Sequence, residues 1–363
     1  MDNINKKVRA IAIYLPQYHP FPENDEWWGK GFTEWINVAS AKPLFRGHYQ
    51  PKIPGELGFY DLRIPEIREQ QATLAKEAGI EGFCYWHYWF GKGKQLMEMP
   101  FNEVVKTGKP DFPFCLAWAN HSWYAKTWDK TKKDKLLIEQ KYDDVEGIKE
   151  HFMSLLPAFE DRRYIQIDGK PVFMVFKPLQ IPNAKLFIDT WNKLAVENGL
   201  QGIYFVGQGP QKDFKAIIEA GFDAINHEEV NGIHSHQSSF IRLLKQFERI
   251  VLHRPRCYDY TKAMKEMITP EDKEENVFPT ICPNFDHTPR SGTRGLVYTG
   301  ANPSTFYNHV KQIFSIISKK KNKVVFIKSW NEWGEGNYME PDREYGRGYI
   351  DAFRKAIDEF PVK

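Results

Sequence analysis

The sequence predicts an α/β fold: a single (β/α)8 barrel with long strand-to-helix loops, residues 1–363 forming one catalytic domain. Three observations carry that expectation. Short apolar runs alternate with helical patterns eight times along the chain, and alternation of that length favours a parallel sheet. Eight such units in 363 residues fit a closed barrel of about 250 residues plus loops. The alternative, a doubly wound open sheet, would want a glycine fingerprint after an early strand, and no GxGxxG or GKS/T run occurs.

The elements follow in order. Arg9 to Leu15 reads as the first strand, and a loop rich in Trp, Pro and Gly runs from there to about Arg63. Ile64–Ala78 reads as a helix with Pro65 in its first turn and Gly79 at its end. Ile80–Trp89 is a strand, Met99–Thr107 a short helix, Phe112–Ala119 a strand and Val145–Glu160 a helix. Tyr164–Lys177 suggests a hairpin around Asp168-Gly169, its arm Pro171–Phe176 supplying the fourth core strand. Helix Ala184–Asn198, strand Ile203–Gly207, helix Lys212–Ala220 and strand Ala224–His227 come next, the helices closed by Gly199 and Gly221. Ser238–Leu252 and Tyr260–Ile268 read as helical, Val277–Pro283 as a strand and Pro303–Ser318 as a helix. Val324–Lys328 is the last strand and Glu344–Glu359 the last helix.

Composition limits the function classes. The 42% apolar fraction supports a sizeable core, and a net charge of +3, from 50 basic and 47 acidic residues, gives no strong field aimed at nucleic acid or membrane. The run Lys319–Lys323 reads as a solvated turn. Cys84, Cys115 and Cys282 fall in strand-like runs, and with Cys257 they show no CxxC spacing, so buried free thiols are expected. No window of about 18 apolar residues offers a membrane span. The N-terminal residues show no apolar signal region, which makes the expected compartment cytoplasmic unless a signal has been removed.

In a barrel of this kind chemistry sits at the C-terminal ends of the strands. Those ends carry Tyr14 and Gln17; His87 and Trp89; Trp118, Asn120, His121 and Trp123; Glu228 and Glu229; and Asp286. A lone Trp or His at one such end is ordinary packing. The gathering of so many polar and aromatic residues at one end is what a sugar site needs. In the second strand Phe83, Tyr85, His87 and Trp89 share one face and Cys84, Trp86, Tyr88 and Phe90 the other; the sequence leaves open which looks into the mouth. The aromatic loop after the first strand adds Trp28, Glu34 and Trp35, of which at least one is expected to line a glycan groove.

The last strand runs into Trp330-Asn331-Glu332-Trp333-Gly334-Glu335-Gly336. Two carboxylates three residues apart, among tryptophans, suggest glycosidic-bond chemistry, because aromatic walls stack on sugars and desolvation raises the pKa of an acid. Glu332 and Glu335 are therefore the expected catalytic pair, with Asn331 and Trp333 beside the substrate. His227 with Glu228 and Glu229 lacks HExxH spacing, the next His being His234, and no GxSxG elbow occurs. No metal and no cofactor is expected.

The run YLPQYHPFPENDEWWGKGFTEWINVASAKPLFRGHYQPKIPGELGFYDLR, the strand GFCYWHYWF and the segment SWNEWGEGNYMEPDREYGRGY resemble the WbsX-like family, related to glycoside hydrolase family 99. The resemblance covers almost the whole chain. It implies a (β/α)8 barrel and metal-independent, retaining action on α-mannosides. It also implies roles: Glu332 deprotonates the sugar 2-hydroxyl, which attacks C1, and Glu335 protonates the leaving oxygen. On that reading Glu335 titrates high while Glu332 stays ionised. Glu340-Pro341 also matches, whereas Gly334 stands where family 99 often has His. Trp118-Ala119-Asn120-His121-Ser122-Trp123, running on through Lys126, Thr127, Trp128 and Asp129, departs from a relative pattern with Glu at position 121. The implied partner is an oligosaccharide or polysaccharide. Such families are associated with surface-polysaccharide synthesis, so a glycosyltransferase is the alternative, although no DxD triplet occurs; a non-catalytic glycan-binding barrel is a third.

Overall fold

A computed structural model describes residues 7–125, 134–232 and 238–360. Eight parallel strands form its centre: β1 (Arg9–Tyr14), β2 (Gly82–Trp89), β3 (Phe114–Trp118), β4 (Lys170–Val175), β5 (Tyr204–Gly209), β6 (Ala224–His227), β7 (Val277–Ile281) and β8 (Val324–Ile327). Each pairs with its neighbour in sequence, and β1 closes the ring, with Ile11 opposite Phe326 of β8 and Ile13 opposite Cys84 of β2. Closure removes the sheet edges. The expected (β/α)8 barrel is the observed fold.

The outer layer comprises α1 (Pro65–Ala78), α2 (Met99–Thr107), α3 (Val145–Phe159), α4 (Ala184–Glu197), α5 (Phe214–Glu219), α6 (Ser239–Val251), α7 (Tyr260–Glu266), α8 (Pro303–Ile317) and α9 (Gly348–Asp358). Local chemistry explains their ends. The side chains of Asp144, Asn183 and Asn302 accept backbone N–H groups at the starts of α3, α4 and α8. Gly79, at φ +85°, ends α1 in a left-handed turn, donating to Lys76 while Ile80 donates to Ala75. The segment after β1, expected as loop, holds two short helices, Pro22–Trp28 and Glu34–Ser40. Seven-residue helices are marginal alone; here buried Trp35 and Val38 anchor the second to the core.

The parity of β2 is settled by packing. Tyr85 faces Phe101 of α2, and Trp89 stacks on His151 of α3 with ring centroids 4.5 Å apart, so Phe83, Tyr85, His87 and Trp89 face the helices. Cys84, Trp86 and Tyr88 face the barrel axis. Inside, the rings of Tyr204, Phe278 and Phe326 form a floor. Above it Gln208 donates to Asn226, and Asn226 donates to Thr280. Stacked layers of this kind make the barrel a packed core rather than a pore.

One expectation is refined. Lys320, expected in a solvated turn, is buried, and its ammonium donates to the Val277 carbonyl at 2.5 Å; burial pulls its pKa down to about 8. Cys84, Cys115 and Cys282 are buried free thiols as read. Among the described residues no helix is long and apolar enough to cross a membrane.

Candidate active site

The chain leaves β8 through Lys328 into a tight hairpin. Asn331 and Glu332 pair antiparallel with Tyr338 and Asn337, and a single turn of helix, Trp333–Glu335, lies between. This turn holds two carboxylates at the C-terminal mouth of the barrel. Between them sits Arg290, from the short helix Thr288–Ser291 after β7. One of its nitrogens, Nη1, donates to Glu335 Oε1 at 2.8 Å and to Glu332 Oε1 at 3.2 Å; Nε donates to Glu34 Oε1 at 2.9 Å. Ser329 Oγ donates to the other Glu332 oxygen at 3.3 Å. Glu335 Oε2 is buried and has no hydrogen-bond partner in the protein.

Three carboxylates thus share one guanidinium. Burial, then the neighbouring Glu335 carboxylate, pushes the Glu332 carboxyl above the usual range, with Arg290 and Lys328 opposing. Glu34 is also desolvated, but Arg290 and Asn37 outweigh that and hold it low. The upward push on Glu332 runs against the expectation that this carboxyl stays ionised. Lys328 is a second cation in the mouth, its Nζ 3.8 Å from Glu228 Oε1. Desolvation disfavours its charge, yet Glu228, Glu335 and Glu332 together raise its pKa.

The backbone around the pair is fixed by residues that touch no open space. A Cβ at Gly334 would lie 2.0 Å from Glu34 Oε1 and 2.9 Å from Arg290 Nε, so the missing side chain is the room that the Glu34–Arg290 pair occupies. Asp286 N donates to the Glu335 carbonyl at 2.7 Å. The Asp286 carboxylate takes contacts from His48, Gln50 and Thr288; these outweigh its burial and keep its pKa low. At Gly336, φ +55°, an added Cβ would lie 2.8 Å from the Asp286 Cβ, so the turn needs glycine there. Glu340 accepts from Trp333 Nε1, Gln71 and Tyr60; burial still raises its pKa to about 7.

The expected site residues divide into groups. Glu332, Glu335, Glu34 and Glu228 converge on the mouth. Trp123 stands edge-on to Tyr88 at 5.2 Å and to Trp27 at 6.0 Å, and Tyr88 lies in the field of Glu332, Arg290 and Glu34. Trp28 is half exposed on its short helix. His121 is half-buried beside Phe176; burial and the Lys177 charge depress its pKa to about 4. Gln17 is partly exposed and its carbonyl accepts from Glu34 N.

The other expected residues turn elsewhere. Tyr14 points at α1, donating to Gln71 at 2.7 Å. His87 and Trp89 face α3, His87 and His151 meeting Nε2 to Nε2 at 2.8 Å, both kept neutral by burial. Trp118 is buried against Phe187 of α4. Asn120 bonds the backbone of Lys177 through both its amide atoms, and Asn331 bonds both backbone groups of Leu15. These two asparagines extend the ladder beyond the strands. Trp35 lies under Trp333, and Trp333 stacks on Tyr338 at 3.7 Å. With Trp330 also fully buried, neither tryptophan of the motif forms the open wall expected beside the pair. Glu229 accepts from the Gln211 backbone N–H. His234 and Lys126 to Asp129 lie outside the described residues.

Sequence reasoning missed Arg290, Lys328 and Tyr88. Arg290 lies four residues beyond Asp286, just past the strand end inspected; Lys328 was read as the close of an apolar strand. Tyr88 belonged to the face of β2 that parity left undecided. Among the described residues no group of three or more His, Cys, Asp or Glu is placed to hold a metal ion.

The family model described as "Glycosyltransferase WbsX" matches residues 10–353. The uncharacterized protein WxcX from two strains of Xanthomonas campestris pv. campestris is 34% identical over 363 residues, covering 97% of this chain. The chain spans about half the length of these curated relatives, 50% in each case. Among solved structures, a GH99 endo-alpha-mannosidase from Bacteroides thetaiotaomicron superposes with a TM-score of 0.58 at 15% identity, covering 97% of both chains. A glycoside hydrolase-like protein gives 0.59 at 15% identity, covering 98% of this chain and 96% of its own. At that identity the likeness is one of fold.

Proposed function

This chain belongs to the WbsX family, and on that premise we propose that it is a carbohydrate-active enzyme that cleaves or transfers α-linked glycosides of manno-like C2 configuration, with retention, through Glu332, Glu335 and the substrate's own 2-hydroxyl. The observation that carries the reading is the pair of carboxylates, Glu332 buried and Glu335 half-buried, held by a single Arg290 nitrogen at 3.2 and 2.8 Å. Two carboxyl groups that close together suit oxygens on adjacent sugar carbons, the glycosidic oxygen and O2.

Glu332 takes the O2 proton, O2 bonds to C1, and the C1–oxygen bond to the leaving group breaks while Glu335 protonates that oxygen. A 1,2-anhydro sugar results. Glu335 then takes a proton from water, or from an acceptor hydroxyl, as it adds to C1; the epoxide opens and O2 recovers its proton from Glu332. Two inversions give retention. A raised pKa makes Glu332 the stronger base towards a weakly acidic hydroxyl. The unpartnered Glu335 Oε2 supplies a position for the proton that the leaving oxygen receives.

The test is a screen of α-mannosides, α-rhamnosides and their gluco and 2-deoxy counterparts, with the product anomer read by NMR. Turnover confined to manno-like substrates with retention is expected. Equal turnover of a 2-deoxy substrate, or inversion at C1, overturns the mechanism. A transferase with an activated donor is the second reading, favoured by the family's description; dependence on a nucleotide sugar, assayed with and without chelator, separates it.

A further inference from the structure

Helix α6 is amphipathic with its faces reversed. Phe240, Leu243, Leu244, Phe247, Ile250 and Val251 recur at helical spacing and form one stripe. A surface helix normally turns such a stripe to the core. Here no residue of α6 is buried. Phe240 is 74% exposed, Leu243 66%, Phe247 55% and Ile250 57%. The half-buried positions are Lys245, Glu248 and Arg249 on the opposite side, where Lys245 donates to Glu248 at 3.0 Å. The polar stripe rests on the protein and the apolar stripe faces out. An apolar patch of this kind marks an interaction surface.

The helix stands at the rim of the mouth. It follows β6, whose end carries Glu228, and packs on the strand Arg256–Asp259. That strand pairs with Leu296–Thr299, and Val297 in turn bridges to Asp286, beside the turn that carries Glu332 and Glu335. Arg254 lies over the Phe45 ring at 5.3 Å, in the segment after β1.

Charge identifies the partner. From Ser238 to Arg256 the single acid, Glu248, is half-buried and paired with Lys245, so no exposed acid lies on this stretch. Arg242 and Arg254 are exposed. Pairing two copies through this face would bring like charges together, whereas an anionic bilayer takes the cations at its headgroups and the Phe and Leu side chains at the acyl boundary. We propose that α6 is a membrane-interface helix that lays the rim of the barrel mouth on an anionic lipid surface. It lies on that surface without spanning it.

The experiment is flotation of the purified chain with phosphatidylcholine vesicles, with and without about 30 mol% phosphatidylglycerol. Anionic vesicles are expected to bind about tenfold more protein than neutral ones, and the double substitution Leu243→Glu/Phe247→Glu to remove that binding. Both side chains are exposed, so circular dichroism is expected to be unchanged. In a second variant, Phe247→Trp, emission is expected to shift to the blue on anionic vesicles alone. Equal binding by the doubly substituted chain overturns the proposal, as does absence of both binding and blue shift. A dimer in light scattering that the double substitution dissociates also overturns it, by assigning the face to a second copy.

Discussion

Arg290 decides the chemistry available to the two glutamates, because one guanidinium nitrogen serves both carboxylates. Removing either carboxylate while keeping its shape isolates its role. Glu332→Gln and Glu335→Gln are each expected to lower the rate on α-mannosides by on the order of 10²–10⁴, the usual share of general acid–base catalysis. An aryl glycoside with a good leaving group is expected to restore the Glu335→Gln rate and to leave Glu332→Gln slow, since such a leaving group needs no proton but O2 still needs a base. Equal rescue of both would remove the assigned division of labour. Gly334 offers a second measurement at the same scale. Its Cβ position is taken by Glu34 and Arg290, so Gly334→Ala forces that pair apart. Overpacking of this kind costs about 1–3 kcal/mol. The expected readouts are a lower denaturation midpoint and a lower rate, and retention of both would show that the pair can shift freely.

Elements meet through a few buried polar groups, among them Glu340. Its carboxylate ties Gln71 of α1, Tyr60 of the segment after β1, and Trp333 of the turn that carries Glu332 and Glu335. Burial raises its pKa to about 7, above the unfolded value. The native state therefore binds the extra proton between the ordinary carboxylate range and pH 7. By linkage, stability falls as pH rises through that window and levels off above it. A shift of that size corresponds to about 3 kcal/mol at most. Urea titrations at pH 5 and pH 7.5 are expected to show the fall in the native chain and a flatter profile in Glu340→Gln, whatever constant cost the amide adds. An unchanged slope in the variant would move the effect to other groups.

On the scale of the whole molecule, the barrel puts its packed layers below and its charged layer above, and the aromatic segment after β1 borders the mouth. Trp28 is the expected sugar contact that remains exposed there. Trp28→Ala is expected to raise KM for an oligosaccharide about tenfold, a loss in keeping with one stacked aromatic, with kcat on a small aryl glycoside unchanged. A KM that does not move would place the glycan elsewhere on the rim.

Sequence alone determined the barrel and the place of the two-glutamate turn after its last strand, because alternating periodicity, caps and the NEWGEG run are local properties of neighbouring residues. Helix starts at Pro65 and Pro303 and the end at Gly79 were legible for the same reason. The face of β2 that meets the mouth was decided only in three dimensions, since alternation fixes two faces without saying which is inside. So were the roles of Asn120 and Asn331, whose amide groups replace missing ladder bonds to segments distant in the chain. Arg290 is 256 residues from Glu34 in sequence and 2.9 Å away in space. No spacing rule links them: the pairing of those charges, and with it the upward push on Glu332, exists only once the barrel closes and brings β1, β7 and β8 to one mouth, where low solvent access makes each charge depend on its neighbours.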